Sequence, residues 1–82
     1  MPNVADRVRR FVIDDLGWTG APDELTDELA LIDEQVVDSL GILTLVRFLE
    51  TEYGIEVEDT EITPTHLGTL AGIERFVSSK RR

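Results

Sequence analysis

Residues 39–54 read SLGILTLVRFLETEYG, and this stretch decides the fold of the 82-residue chain. Its apolar residues recur every three or four positions, which is the spacing of one face of an α-helix. Asp38 and Ser39 suit the start of such a helix, and Gly54 suits its end. We therefore predict a helix from Ser39 to Tyr53. Its buried face is expected to contain Ile42, Leu45, Val46, Leu49 and Tyr53.

A helix and a long loop precede this stretch. Apolar spacing predicts the helix from Val4 to Leu16, with Asn3 as its N-cap and Gly17 after its end. Residues 17–37 have no sustained period, so we predict a loop, which is long for a compact domain. Three apolar residues are expected to hold it to the core, namely Leu25, Leu29 and Ile32.

Two helices are predicted after Gly54. Thr63-Pro64 is typical of a short helix that begins with proline, and Thr69 suits the cap of a last helix. The last helix is expected to bury Leu70, Ile73, Phe76 and Val77. Ile55 and Val57 alternate with acids as in a strand, but the segment is too short to pair. The predicted fold is all-α, a small bundle of three longer helices and one short helix.

The composition limits the classes of function. A chain of 82 residues suits one domain, over residues 1–82, and the absence of cysteine excludes disulfides, thiol nucleophiles and thiolate metal sites. No apolar run is long enough to cross a bilayer, and the first residues have no signal-peptide pattern. We therefore expect a small domain in the cytoplasm.

The charge is strongly negative and unevenly distributed. The net charge of -9 argues against binding to nucleic acids or to anionic membranes. Every acidic residue except Asp6 lies between residues 11 and 74, where the only base is Arg47. Such a surface either attracts partners with basic patches or simply keeps a monomer in solution.

No arrangement of residues predicts an enzyme. The single histidine, His66, excludes a zinc site built on several imidazoles, and a triad would need it beside Ser39, Ser78 or Ser79. None of these serines lies in a G-x-S-x-G turn. The acidic segments lack the central glycine and the terminal glutamate of a calcium-binding loop. A glycine-rich phosphate loop is absent from the sequence as well.

Asp38-Ser39-Leu40 has two interpretations. Asp38 and Ser39 are good N-terminal helix residues, and a cap stabilises a helix by about 1 kcal/mol. A serine at a helix N-terminus is also a favourable place for an attached phosphate, because free N–H groups and the helix dipole point toward it. In that case Asp38 either caps the helix or helps to hold a metal ion during transfer, and Leu40 contacts the attached group or the modifying enzyme.

The sequence resembles the acyl and peptidyl carrier proteins over nearly its whole length. Asp38-Ser39-Leu40 is similar to the Asp-Ser-Leu signature of that family, and residues 49–57 are similar to its Leu-Glu-x-x-Phe-Gly-Ile-x-Ile stretch. Residues 62–67 resemble the short third helix, and residues 69–77 the last helix. The resemblance implies that Ser39 carries 4′-phosphopantetheine, attached by a phosphopantetheinyl transferase.

A carrier role implies a division of labour with other enzymes. The cofactor would bring the thiol that the chain lacks, and the thiol would hold an acyl or aminoacyl group as a thioester. The implied partners are an adenylating ligase, an acyltransferase or a synthase, while the chain itself is not a catalyst. The docking residues expected on the second helix are Leu40, Thr44, Arg47, Phe48 and Glu50.

At several positions this chain has a different residue from the one usual in fatty-acid carriers. Val36 replaces their glycine, Gly41 and Thr44 replace their acids, and Arg47 stands where they often have methionine. These departures argue against efficient docking to the enzymes of fatty-acid synthesis. Residues 36–41 and 62–67 resemble more closely the free-standing carriers of specialised metabolism or aminoacyl transfer. Three alternatives remain open, namely a housekeeping fatty-acid carrier, a module excised from a larger protein and an unmodified acidic adaptor. Whether the bundle encloses its cargo is open as well.

Overall fold

The computed structural model describes residues 3–81 and contains only helices, turns and loops within them. Four α-helices are present, α1 (Val4–Asp15), α2 (Ser39–Tyr53), α3 (Pro64–Leu67) and α4 (Leu70–Lys80), with short 3₁₀ turns at Pro22–Glu24 and Asp59–Glu61. The predicted all-α fold of three longer helices and one short helix is confirmed. Helix α1 ends one residue earlier than predicted, because Leu16 is its C-cap.

Side chains or glycine fix the ends of the longer helices. The Asn3 side chain accepts a hydrogen bond from the Asp6 N–H at 2.8 Å, and Thr69 Oγ1 accepts one from the Gly72 N–H at 2.9 Å. Helix α2 ends at Gly54, whose φ of 64° lies in the left-handed region that favours glycine. The predicted ends at Asn3, Thr69 and Gly54 are therefore confirmed.

One apolar core joins the helices to the loop between α1 and α2. The residues predicted to be buried on α4 all belong to it, as do Leu45, Val46 and Leu49 on α2. Ile42 and Tyr53 are only half-buried, because they lie at the edges of the α2 stripe. The buried apolar residues are Ala5, Val8, Val12, Leu25, Leu31, Val37, Leu45, Val46, Leu49, Ile55, Leu67, Leu70, Ile73, Phe76 and Val77.

Residues 16–38, which we call the α1–α2 loop, are held by a few specific contacts. Arg9 on α1 donates through Nε to the Leu25 carbonyl at 2.9 Å and through its guanidinium to the Asp27 carboxylate. The Asp27 carbonyl in turn accepts from the Ala71 N–H at 3.0 Å, at the start of α4. These bonds join one short segment of the loop to both terminal helices.

Leu31 provides the second attachment of the α1–α2 loop. Its side chain is fully buried, and its N–H donates to the Gly68 carbonyl at 2.7 Å. The prediction that Leu25 and Leu29 hold the loop to the core is confirmed, since Leu25 is buried and the half-buried Leu29 packs against the core. Ile32 is half-buried and does not belong to this packing. Leu31 therefore takes the place in the core that was predicted for Ile32.

Candidate functional site

Ser39 is the first residue of α2 and is exposed to solvent. Asp38, immediately before it, is the N-cap, and its Oδ1 accepts a hydrogen bond from the Gly41 N–H at 2.7 Å. Asp38 therefore caps the helix, which leaves the Ser39 hydroxyl free of that task. Ser39 Oγ makes no hydrogen bond to any other residue in the described part of the chain.

The turn before Asp38 contains a strained residue. Gln35 has a φ of 57°, and it is the one non-glycine residue with positive φ among residues 3–81. Its N–H donates to the Ile32 carbonyl at 3.1 Å, while the Val37 N–H donates to the Leu31 carbonyl at 3.1 Å. This turn buries Val37 and leads directly to Asp38, the N-cap of α2. Its sequence carries no signal of this conformation.

A mostly apolar cleft lies beside Ser39. It is formed by the end of the α1–α2 loop, the first turn of α2 and the segment before α3. Its lining consists of Ile32, Gln35, Val37, Asp38, Ser39, Ile42, Ile62 and Pro64. The cleft gives any group attached at Ser39 an apolar surface on one side, close to the point of attachment.

The structure divides the predicted docking residues into two sets. Leu40, Thr44 and Arg47 are exposed and follow one another at helical spacing on the same face of α2. Leu43, which the sequence analysis did not select, is also exposed on this face. We call these four residues the outer face of α2. The helical spacing that places Leu40, Thr44 and Arg47 on one face also includes Leu43, so this residue could have been predicted from the sequence.

Phe48 and Glu50 serve internal contacts. The Phe48 ring stacks on Phe11 of α1 with centroids 4.2 Å apart and is half-buried. Glu50 Oε2 accepts a hydrogen bond from the Val57 N–H at 3.0 Å, which holds the segment after α2. The structure therefore does not bring these two side chains together with the outer face of α2.

The other candidate residues lie elsewhere. His66 packs its ring on Phe76 with centroids 5.0 Å apart, and no hydrogen bond joins it to Ser39. Within residues 3–81, no cluster of three or more histidines and carboxylates is arranged to hold a metal ion. None of the helices in that part of the chain is long and apolar enough to cross a membrane.

Two described groups have shifted pKa values, and both lie outside the lining of the Ser39 cleft. A hydrogen bond from Lys80, 2.7 Å away, lowers the pKa of Glu61, and the Glu58 N–H adds to this effect. Burial raises the pKa of Tyr53, and repulsion from Glu52 acts in the same direction.

Comparison with known proteins places this helical chain in a family. It is 32% identical to an acyl carrier protein from Zymomonas mobilis over 81 residues. These residues cover 99% of each of the two chains. The chain belongs to the acyl carrier protein family. An acyl carrier protein from Caulobacter vibrioides is 31% identical over 80 residues, which cover 98% of this chain and 97% of the relative. No protein-family model matches the chain. The resemblance to acyl carrier proteins seen in the sequence is confirmed.

Proposed function

We propose that this chain is a carrier whose Ser39 is joined to 4′-phosphopantetheine and which moves acyl or aminoacyl groups between enzymes. The observation that carries the proposal is an exposed Ser39 at the start of α2, with a hydroxyl that has no internal partner. Membership of the acyl carrier protein family supports the same role, because carriers hold substrates for other enzymes.

The start of α2 fits an attached phosphodiester. The Gly41 N–H is occupied by Asp38, and the Ile42 N–H donates to the Asp38 carbonyl at 2.8 Å. The N–H groups of Ser39 and Leu40 have no intrahelical acceptor, since they belong to the first turn. They and the positive end of the helix dipole would stabilise a negative phosphate on Ser39 Oγ.

The residues around Ser39 hold and orient the attached group rather than perform chemistry on it. The attached group supplies a thiol, which forms a thioester with the cargo and which this cysteine-free chain lacks. Asp38 keeps the first turn of α2 in place, and the apolar cleft offers a surface to the arm or to a short apolar cargo. Proton transfer is left to the partner enzymes.

We assign the carrier to specialised metabolism or aminoacyl transfer, with housekeeping fatty-acid synthesis as the alternative. Gly41 supports this assignment, because a Cβ there would lie 3.1 Å from Val37 Cγ1 and 3.2 Å from Asp38 Oδ1. An acid at this position would require the Val37 or Asp38 side chain to shift by a few tenths of an ångström. The glycine thus suits the close packing of Val37 and Asp38, at a position where the fatty-acid carriers have an acid.

A phosphopantetheinyl transferase would modify Ser39, and an adenylating ligase, acyltransferase or synthase would load or use the carrier. We expect residues 1–82 to act as one monomeric domain in the cytoplasm. The acidic surface outside α2 would raise the rate of encounter with basic partners.

The test of attachment is the intact mass of the purified chain after incubation with coenzyme A, Mg²⁺ and a promiscuous phosphopantetheinyl transferase. The wild type should gain one phosphopantetheine group, and Ser39→Ala should gain none. Ser78→Ala, which changes an exposed serine of α4, should be modified like the wild type. An unmodified wild type would favour an acidic adaptor instead of a carrier.

The pathway is tested on the modified protein. The carrier with phosphopantetheine attached is incubated separately with candidate adenylating ligases and with the enzymes of fatty-acid elongation. The mass of the thioester formed in each reaction is then measured. The specialised assignment is supported if a ligase loads the carrier and the enzymes of fatty-acid synthesis elongate its cargo slowly. Elongation as fast as that of a housekeeping carrier would contradict it.

A further inference from the structure

The first and last helices meet at a cleft far from Ser39. Helices α1 and α4 pack against each other, and the cleft lies between the start of α1, the end of α2 and the end of α4. Ser39 begins α2 and Tyr53 ends it, so about 21 Å of helix separates Ser39 from this cleft. We call it the terminal cleft, and its side chains include Arg7, Tyr53, Arg75, Ser78, Ser79 and Arg81.

The terminal cleft is positive, although the chain carries a net charge of -9. Its described lining contains three arginines and two glutamates, which gives it a charge of +1. The packing of α1 on α4 produces this charge, because seven of the eight basic residues lie outside residues 11–74. An anionic group is therefore attracted to the terminal cleft and repelled by the acidic surface elsewhere.

Two arginines of the terminal cleft have no partner within residues 3–81. Both glutamates of the lining have internal contacts, since Glu52 pairs with Arg7 at 2.9 Å and Glu74 accepts a backbone N–H at the start of α1 at 3.4 Å. Arg75 and Arg81 are exposed and belong to none of the ion pairs formed in that part of the chain. Their guanidiniums can therefore bind an anion from another molecule.

Hydroxyl groups lie beside these arginines. Ser78 and Ser79 follow Arg75 by three and four residues, so the three side chains share one face of α4, and both serines are exposed. The Tyr53 hydroxyl is shielded from solvent and has no hydrogen-bond acceptor among the described residues. Burial raises its pKa, so the phenol keeps its proton at neutral pH, and the neighbouring Arg7 can only donate. The terminal cleft thus combines positive charge with hydroxyl donors.

We propose that the terminal cleft docks a short acidic segment of a partner protein, whose carboxylates lie against Arg75 and Arg81. A carboxylate matches the planar guanidinium, and serine hydroxyls can donate to its remaining lone pairs. The segment is short, because a longer polyanion such as a nucleic acid would extend onto the acidic surface of the chain and be repelled. A second copy of the chain is repelled in the same way, since each copy has a net charge of -9.

This docking goes beyond the carrier function, because it requires no group on Ser39. The terminal cleft and Ser39 lie at opposite ends of α2, so one protein can hold the carrier while another acts at Ser39. The rate at which a transferase modifies Ser39 should therefore be unchanged when the terminal cleft is occupied.

The test is the fluorescence polarisation of labelled octaglutamate, titrated with the full chain at low ionic strength. The wild type should bind this peptide, and added salt should weaken the binding. The double variant Arg75→Gln with Arg81→Gln should raise Kd about tenfold, as the loss of two exposed ion pairs allows. Ser79→Glu, which adds a carboxylate to the terminal cleft, should raise Kd as well.

The charge-matched control is Arg10→Gln with Arg47→Gln, which changes exposed arginines of α1 and α2 outside the lining of the terminal cleft. Its Kd should stay within about twofold of the wild-type value. In amide NMR spectra, the peptide should shift the signals of Ser78 and Ser79 and leave that of Ser39 unchanged. Circular dichroism establishes that all variants are folded.

The proposal is overturned if octaglutamate does not bind, if the control loses as much affinity as the Arg75 and Arg81 variant, or if bound peptide blocks the modification of Ser39. Three other occupants would also overturn it. Displacement of the peptide by free glutamate at equal carboxylate concentration would indicate a site for small anions. Displacement by oligothymidylate at equal charge would indicate a nucleic-acid surface. Wild-type dimers in sedimentation that the double variant does not form would indicate a second copy.

Discussion

Helix α2 and the α1–α2 loop are neighbours in the sequence but are held in place by different means. Helix α2 has a periodic apolar face, a capping Asp38 and a terminal Gly54. Its position is therefore stabilised by many separate contacts, each of which contributes a small part of the free energy. The loop has no period and rests on a few contacts, chiefly those of Arg9 and Leu31. Because Ser39 lies where the two regions meet, its placement depends on both of them.

The largest expected effect is at Leu31, the buried residue of the loop. Leu31→Ala should lower the free energy of unfolding by about 2–5 kcal/mol, because it leaves a cavity in the core. The matched control is Leu43→Ala on the outer face of α2, which should change stability by no more than about 0.5 kcal/mol. Urea unfolding followed by circular dichroism measures both values. Equal losses in the two variants would show that the contrast between loop and helix is wrong.

The next effect concerns Gly68, whose carbonyl accepts the Leu31 N–H. A Cβ at this position would lie 2.3 Å from the Pro64 carbonyl oxygen, so the backbone has to shift. Gly68→Ala should therefore cost about 1–3 kcal/mol, as for other overpacked sites. Hydrogen exchange of the Leu31 amide should become faster as well. Unchanged stability and unchanged protection would mean that this bond does not hold the loop.

A smaller effect is expected at the cap of α2. Asp38→Ala removes the acceptor of the Gly41 N–H and should cost about 1 kcal/mol, whereas Asp38→Asn should retain most of the stability. Urea unfolding of the two variants side by side makes the comparison. If asparagine fails to replace aspartate in this assay, the carboxylate does more than cap the helix.

The smallest effect, with the opposite sign, is expected at Gln35. Its left-handed backbone costs an L-residue about 1–2 kcal/mol, while the extra freedom of glycine in the unfolded chain offsets about 0.5–1 kcal/mol. Gln35→Gly should therefore raise the free energy of unfolding by about 0.5 kcal/mol. Gln35→Ala serves as the control and should give no gain. A loss of stability in the glycine variant would show that the turn is not strained.

The two regions also differ in how far the sequence predicts them. The bounds of α2 follow from a local pattern, since period, cap and terminal glycine lie within the segment itself. In the loop, the side chain that enters the core depends on a bond between Leu31 and Gly68, which are far apart in the sequence. A pattern search therefore selects Ile32 where the structure buries Leu31.

The candidate site shows the same division. Ser39 follows from its place at a helix start and from the resemblance to carriers. The strain at Gln35 is a backbone property with no compositional signal. The exposure of Leu43, in contrast, agrees with its helical spacing from Leu40 and Arg47. Phe48 and Glu50 contact Phe11 and the Val57 amide, which belong to other segments, so the pattern of α2 alone does not predict these contacts.

The most direct test of the account is the position of the phosphopantetheine group in the modified protein. Tandem mass spectrometry of the proteolytic peptide that contains Asp38-Ser39-Leu40 assigns the group to one side chain. The account predicts that the whole added mass lies on Ser39 and that the Ser39→Ala protein yields no modified peptide. A group found on another residue, or modification that persists in Ser39→Ala, would contradict it.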